Sequence, residues 1–204
     1  NSALYVGKVI SDKSNYEVRL SAKQGIYNGE SLLRSADSSL IKSSRVTLRG
    51  GIGSLGTSVS RLNIELINPD DLNAYGSFSA SSGVYLNAAA GVSTDPFRVD
   101  AVASDKIVDI SLNGKALLMT EPSGSESIAS SYIKAQEIIL RDASQVGSDK
   151  NSIRLHSEKD GEALLTFVTG ETSQDKPKLL NIHDTGSGTL DVASAEKGYV
   201  DAEE

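Results

Sequence analysis

The sequence predicts an all-β fold, a right-handed parallel β-helix or a closely related β-solenoid, and three observations support this prediction. The phrase SLIKSSRVTLR at 39–49 returns as SYIKAQEIILR at 131–141, without a gap and about 92 residues later. Apolar and polar residues alternate around both copies, and loops rich in Gly and Ser separate the alternating segments. A phrase that returns at a fixed offset is typical of a chain built from repeated supersecondary units.

Short segments with the period of a half-buried strand follow one another from the start of the chain. Residues 4–10 and 16–20 alternate in this way, and the Asn28-Gly29 pair after them is a strong turn signal. The best helical candidate, 127–136, overlaps the second copy of the repeat and is therefore interpreted as strand. Further strand candidates lie at 84–86, 107–112, 163–168 and 190–192.

Polar loops that begin near a glycine lead four times into a triplet of an apolar residue, Arg or Asn, and another apolar residue. The triplets are 62–64, 97–99, 153–155 and 180–182. This spacing of corners predicts coils of roughly 20–30 residues, about seven to nine in all. We expect residues 1–34 to form N-terminal strands that cap the solenoid, and residues 35–204 to form the solenoid itself. Two similar antiparallel β-sandwich units are the alternative, because they would also explain the repeat.

Composition and charge exclude several classes of protein. The net charge of −7 and the lack of a basic run argue against nucleic acid as a partner. The chain has no cysteine, which excludes a disulfide framework and a thiolate metal site. Apolar runs such as 116–119 are far shorter than the ~20 residues of a membrane-spanning helix, so we expect no membrane insertion.

Several segments carry a resemblance to a known family: Ile41, 46–49, 51–54, 62–64, 82–86 and 97–100. Together they resemble the repeat regions of very large bacterial exoproteins, the filamentous-haemagglutinin-like and leukotoxin-like adhesins. The resemblance covers about residues 35–200. It implies a right-handed parallel β-helix that projects from the cell surface and has no catalytic residues. The N-terminal secretion domain of that family is not evident in this sequence.

The sharpest local motif is the glycine-rich stretch GIGSLG at 51–56, directly after the strand candidate 46–49. Asp70 and Asp71 lie near the distance at which a dinucleotide-binding fold places its ribose-binding acid. A phosphate cradle requires the loop to open a helix, whereas residues 57–62 have an extended pattern. We therefore predict a corner of a coil here, and no cofactor.

The two histidines do not form a recognisable site. His156 and His183 are too few for a histidine-based metal cluster and lie outside any ligand-spaced motif. The pair His183-Asp184 would need a nucleophilic serine, but the chain has no Gly-x-Ser-x-Gly elbow. We interpret both histidines as surface residues of polar strands.

Clustered carboxylates are the enzymatic alternative, because parallel β-helices include polysaccharide lyases and hydrolases. Glycoside hydrolysis needs two carboxyl groups across one cleft at a defined separation. No calcium-binding motif frames the acids of this chain, so we expect solvated loops, with calcium at acidic loops as the one cofactor left open. The candidate acids are Asp70 with Asp71, Asp95 with Asp100, Asp105 with Asp109, and the terminal Asp201, Glu203 and Glu204.

Seven tyrosines are dispersed singly, and we interpret them as buried or half-buried strand residues and not as platforms for sugars. Because no catalytic signature is present, we expect a structural or adhesive segment of a bacterial extracellular surface protein. Its partners would be host or cell-surface glycans and proteins, or copies of itself. The alternatives are a filament subunit joined through its end strands and, third, a polysaccharide-active enzyme. The tyrosines are Tyr5, Tyr16, Tyr27, Tyr75, Tyr85, Tyr132 and Tyr199.

Overall fold

A computed structural model of the chain shows strands and no helix among the residues that it describes. These residues are 2–13, 16–29, 39–67, 74–89, 95–120, 131–149, 151–157, 165–168, 179–184 and 198–202. The described part of the chain therefore has no helix that is long and apolar enough to cross a membrane. The helical alternative at 127–136 is resolved as expected where the structure describes it, since Tyr132–Ala135 is a strand.

Twenty strands follow one another in the described part of the chain. The first ten are β1 (Leu4–Val6), β2 (Lys8–Ile10), β3 (Glu17–Ser21), β4 (Ile26–Asn28), β5 (Leu40–Ser43), β6 (Arg45–Arg49), β7 (Ser54–Leu55), β8 (Leu62–Leu66), β9 (Tyr75–Ala80) and β10 (Gly83–Ala88). The others are β11 (Phe97–Ser104), β12 (Ile107–Ser111), β13 (Ala116–Met119), β14 (Tyr132–Ala135), β15 (Glu137–Arg141), β16 (Gln145–Val146), β17 (Ile153–Ser157), β18 (Leu165–Val168), β19 (Leu180–Asp184) and β20 (Gly198–Ala202).

Every described pairing between these strands is parallel. The one antiparallel bridge in the described residues joins Thr57 to Ser60 within a single turn. Parallel neighbours need a crossover between them, and for β1 to β18 the crossover includes a strand of the opposite sheet. The chain is thus a parallel β-solenoid, as predicted, and the antiparallel sandwich alternative is excluded for the described part.

The longest ladder shows how far the chain advances in one circuit, which we call a level. It runs through Leu4, Ile26, Leu55, Val84, Val108, Ile138 and Leu165. Successive positions are 22 to 30 residues apart, which confirms the predicted coil length. The ladder has seven levels, and β20, which pairs with β19, continues the second sheet into an eighth level. Strands β1 to β3 form level 1 and pair in register with level 2.

Two sheets form the long sides of the solenoid. Which of the two sheets contributes two strands to a level changes along the rod. In levels 1 to 3 the first sheet has two strands per level (β1 with β2, β4 with β5, β7 with β8), and the second sheet has one (β3, β6, β9). In levels 5 and 6 the second sheet has two (β13 with β14, β16 with β17), and the first has one (β12, β15). Level 4 joins the two arrangements: β10 pairs with both β7 and β8, and β11 pairs with both β13 and β14.

The two copies of the sequence repeat form the same local structure on opposite sides of the rod. In copy one, β5 of the first sheet turns at Ser44 into β6 of the second sheet. In copy two, β14 of the second sheet turns at Gln136 into β15 of the first sheet. Each copy continues through a loop to a glycine with positive φ, Gly56 or Gly147. The repeat therefore encodes a corner with its flanking strands, and not a fixed position around the coil.

Aliphatic side chains fill the interior between the two sheets. In the second sheet, one inward ladder consists of Leu20, Leu48, Phe78, Val102, Ile133 and Leu155. All but Leu20 are buried, and the buried ring of Phe97 stacks on that of Phe78 with centroids 6.4 Å apart. Full burial of such a side chain contributes about 1.5–3 kcal/mol, so the core is a sum of similar contributions from each level.

The glycine-rich stretch 51–56 is a corner of the solenoid, as predicted. The amide of Ile52 donates to the carbonyl of Lys23 (3.0 Å) in the level below, and Ser81 donates to the carbonyl of Gly51 (2.8 Å) from the level above. Residues 54–55 are strand β7, and no helix follows the glycines. The helix N-terminus that a phosphate cradle uses is therefore absent from this corner.

At this corner the backbone of the neighbouring level approaches two glycines too closely to leave room for a side chain. A Cβ at Gly53 would overlap the carbonyl of Gln24, and a Cβ at Gly51 (φ +56°) would lie 2.6 Å from the carbonyl of Lys23. At Gly114 (φ +78°) a Cβ would meet nothing within 4 Å. We expect Gly114→Ala to lose about 1–2 kcal/mol from the backbone alone, and Gly51→Ala to lose more because crowding is added.

The melting temperatures of Gly51→Ala, Gly53→Ala and Gly114→Ala measure the relative size of these losses in stability. Gly53→Ala isolates crowding, since Gly53 has no positive φ, and Gly114→Ala isolates backbone strain. A Gly51→Ala protein as stable as the Gly114→Ala protein would show that the corners do not pack as closely as described.

Candidate functional site

A groove on the outer face of the second sheet is the candidate site. It has a volume of about 530 Å³ and extends over levels 1 to 5. We call it the second-sheet groove and define it by the residues that line it: Ser21, Arg49, Gly51, Ser79, Ala80, Ser81, Ala103, Ser104, Asp105, Tyr132 and Lys134. With levels about 4.8 Å apart, its long dimension follows the rod axis over roughly 19 Å.

Strand register forms this groove from residues far apart in sequence. Arg49 pairs with Ser79, Ser79 with Ala103, and Ala103 with Lys134. All four side chains point outward, because the residues beside them in each strand are buried. The two small residues thus form a floor between the two cations, which lie three levels, or about 14 Å, apart along the axis.

The outer face of the second sheet carries an excess of positive charge, although the whole chain has a net charge of −7. Three carboxylates lie on this face or at its edge: Glu17, Asp100 and Asp105. Six cations point outward from its described strands, so the described residues of this face carry a net charge of +3: Arg19, Arg45, Arg49, Arg98, Lys134 and Arg154. The pKa of Glu17 is lowered, first by its hydrogen bond from Arg19, so that this carboxylate is ionised at neutral pH.

A buried ion cluster lies on the outer face of the first sheet. The side chain of Asp109 is only 3% exposed and accepts from Arg61 Nη2 (2.7 Å) and from Arg141 Nε (2.9 Å). Arg61 precedes β8 in level 3, Asp109 is in level 5, and Arg141 is in level 6. We call these residues the Asp109 clamp. Its carboxylate is saturated by guanidinium donors, which suits a structural role and not general acid or base catalysis.

The acids paired in the sequence do not meet in one cleft where the structure describes them. Asp105 lines the second-sheet groove, whereas Asp109 belongs to the clamp in the other sheet. Asp100 accepts from the hydroxyl groups of Ser77 (3.3 Å), Thr120 (3.2 Å) and Ser131 (3.0 Å), and these contacts do not include Asp95. Asp70, Asp71, Glu203 and Glu204, and the side chain of Asp201, lie outside the described residues.

The histidines lie on strands of the second sheet, as interpreted from the sequence. His156 pairs with Lys134, and His183 pairs with Arg154, so both are outward and half-buried. No group of three or more His, Cys, Asp or Glu residues in the described part of the chain is arranged to hold a metal ion. The side chain of Asp184, the neighbour considered for His183, lies outside the described residues.

The tyrosines are less isolated than the sequence suggested. Tyr5 and Tyr27 pair across levels 1 and 2 with ring centroids 5.8 Å apart. Tyr5 and Tyr16 are 55% and 54% exposed, so the half-buried interpretation is wrong for these two. Tyr132 lies in the second-sheet groove. Tyr27, Tyr75, Tyr85 and Tyr132 are half-buried as expected, and the side chain of Tyr199 lies outside the described residues.

Sequence reasoning missed both the groove and the clamp, because each is assembled by register between distant segments. Arg49 and Lys134 are 85 positions apart, and Arg61 and Arg141 are 80 apart. The sequence carried one signal of these sites, the arginine at the end of each repeat copy. Arg49 lines the groove, and Arg141 belongs to the clamp.

Comparisons with known proteins add no relative to this picture: no protein-family model, no curated protein and no solved structure matches the chain.

Proposed function

We propose that this chain is a structural and adhesive segment of a bacterial extracellular surface protein, a β-solenoid rod that attaches to glycans through the second-sheet groove. The groove supports this proposal because its shape suits a linear ligand. It is open, follows the rod axis over five levels, and has small side chains as its floor. An extended polymer can lie in such a groove without any movement of the backbone, so little ordering of the protein opposes binding.

The chemistry of the lining also favours a sugar chain. Hydroxyl groups of Ser21, Ser79 and Ser81 and the carboxylate of Asp105 offer hydrogen bonds to sugar hydroxyls. Tyr132 adds a ring beside them, and one aromatic face can stack on a pyranose ring. Asp105 and Asp109 lie on different sheets, and Asp109 already binds two guanidinium groups. Attachment to a glycan is therefore supported better than its hydrolysis.

Filling the groove without changing its charge tests the proposal. Ala103→Trp places a large ring on the floor between Arg49 and Lys134, and we expect it to abolish binding to any immobilised polysaccharide that the native chain retains. Ser111→Trp is the matched control, because Ser111 points outward from β12 on the opposite sheet. The panel should contain neutral and acidic polysaccharides, measured by biolayer interferometry. Equal binding by both variants, or no binding by the native chain to the whole panel, would refute the assignment.

A filament subunit remains the second candidate, because of one observation. Three of the exposed large apolar side chains, Tyr5, Ile10 and Tyr16, lie in or directly beside the strands of level 1. An apolar end level is suited to cover by another coil, and open strand edges pair readily. Light scattering over a dilution series, run on the same samples, separates the candidates, since only a filament subunit should grow in mass with concentration.

A further inference from the structure

We infer that the ligand of the second-sheet groove is an acidic polysaccharide, bound with its chain along the rod axis and its anionic groups at Arg49 and Lys134. This inference rests on the proposed function and adds the chemical class of the ligand. A neutral glycan would use the serine hydroxyl groups, Asp105 and Tyr132 but not the charges of Arg49 and Lys134, whereas the charge distribution of this face selects for anions.

Charge is distributed unequally between the two outer faces of the solenoid. The described residues on the outer face of the second sheet carry a net charge of +3 on a chain whose total is −7. The outward positions of the described first-sheet strands balance, with Lys8, Lys42 and Arg141 against Glu65, Asp109 and Glu137. The ion-pair partners at the edge of this sheet, Arg61 and Asp12, add one charge of each sign. A single face of positive potential on an acidic protein attracts and orients an anionic polymer toward that face.

The positions of the two cations within the groove also favour an anionic polymer. Arg49 in level 2 and Lys134 in level 5 lie at opposite ends of the floor formed by Ser79 and Ala103. Arginine binds a carboxylate or sulfate through two parallel hydrogen bonds, and lysine acts as a point charge. Two cations about 14 Å apart along the axis fit a polymer with regularly repeated charges, and a single small anion would reach only one of them.

The residue types that line the groove favour a polysaccharide over nucleic acid, the other anionic polymer. Single-stranded nucleic acid binds through several aromatic rings on which successive bases stack. Tyr132 is the one aromatic residue among those that line the groove, whereas four are serines. A lining rich in hydroxyl groups matches the hydroxyl groups of a sugar chain, so the observations favour the polysaccharide.

The experiment removes the two cations and keeps the shape of the groove. Arg49→Gln/Lys134→Gln is compared with Lys8→Gln/Lys13→Gln, which removes the same charge from residues outside the groove. The probes are polygalacturonate, heparin, dextran and single-stranded DNA of similar length, each at several salt concentrations. We expect the native chain to bind polygalacturonate, heparin or both, and the groove variant to lose roughly tenfold in affinity per cation with a weaker salt dependence. The control should bind like the native chain.

The outcomes distinguish this inference from the proposed function. Groove-dependent binding of dextran that equals binding of the acidic polymers would overturn the inference and leave glycan attachment standing. Stronger binding to DNA than to either acidic polysaccharide would overturn it in favour of nucleic acid. An equal loss of affinity in the groove variant and in the control would also overturn the inference, because binding would then depend on the net charge of the chain and not on the groove. Preference for polygalacturonate over heparin, or the reverse, identifies carboxylate or sulfate as the bound group.

Discussion

Replacing Leu48 with aspartate is expected to unfold the chain. Leu48 is fully buried between Leu20 and Phe78 in the inward ladder of the second sheet. A carboxylate at this position would be unpaired in an aliphatic interior, which costs several kcal/mol against a total stability of about 5–15 kcal/mol. Leu140, the counterpart of Leu48 in the second repeat copy, is buried beside Ile110 in the first sheet and should behave alike. Far-UV circular dichroism and thermal unfolding measure the loss.

Arg49→Asp is the control for this prediction, because Arg49 adjoins Leu48 in the same strand and points to solvent. It introduces the same carboxylate, one position along, and should keep the strand signal and most of the melting temperature. Strand signal and melting temperature unchanged in both Leu48→Asp and Leu140→Asp would contradict the inward ladders.

Asp109→Asn is expected to give the second largest effect, a loss of about 2–3 kcal/mol. The substitution keeps the size of the side chain but leaves the guanidinium groups of Arg61 and Arg141 without their counter-charge. Breaking a buried pair in this way typically costs 3–5 kcal/mol. Arg61 and Arg141 are 24% and 32% exposed, so water partly replaces the carboxylate and we expect a value below that range. Glu65→Gln is the control, since its ion pair with Lys42 (3.0 Å) joins only neighbouring strands.

Tyr85 reports independently on the charge of Asp109. Burial raises the pKa of its phenol, and the negative charges of Asp109 and Glu137 raise that pKa further. Since the folded-state pKa exceeds the unfolded one, this contribution to stability is complete below about pH 10 and is lost as the pH rises through the folded-state pKa. In Asp109→Asn the pKa of Tyr85 should fall toward its ordinary value. The difference in absorbance at 295 nm between each protein and its Tyr85→Phe variant isolates this residue, and an unchanged titration would contradict the proximity of the two groups.

Local features of the fold were predictable from the sequence, and the reason lies in side-chain alternation. Segments such as 45–49 and 137–141 bury every second residue, which a short alternating pattern indicates directly. The exchange of sides between the repeat copies was not predictable. Each copy specifies a corner and two strands, but the sheet to which a strand belongs depends on all the loop lengths before it. Those lengths vary, since levels differ between 22 and 30 residues.

The groove was beyond sequence reasoning for the same physical reason. Its floor depends on Ser79 and Ala103 occupying the same row as Arg49 and Lys134, and only the register between levels determines that row. Polar outward residues occur on strands of both sheets, so composition alone distinguishes no face. The positive face becomes visible only when each strand is assigned to its sheet.

The Asp109 clamp also has a mechanical consequence. Hydrogen bonds between parallel strands lie nearly along the rod axis, so a tensile force on the two ends acts directly on the bonds between levels. Under such a load the levels would separate one interface at a time. The clamp joins level 3 to level 5 and level 5 to level 6 through side chains, and so adds ionic ties that bear the load in parallel with the backbone. The levels that the clamp joins would thus resist a tensile load for longer than levels held by backbone hydrogen bonds alone.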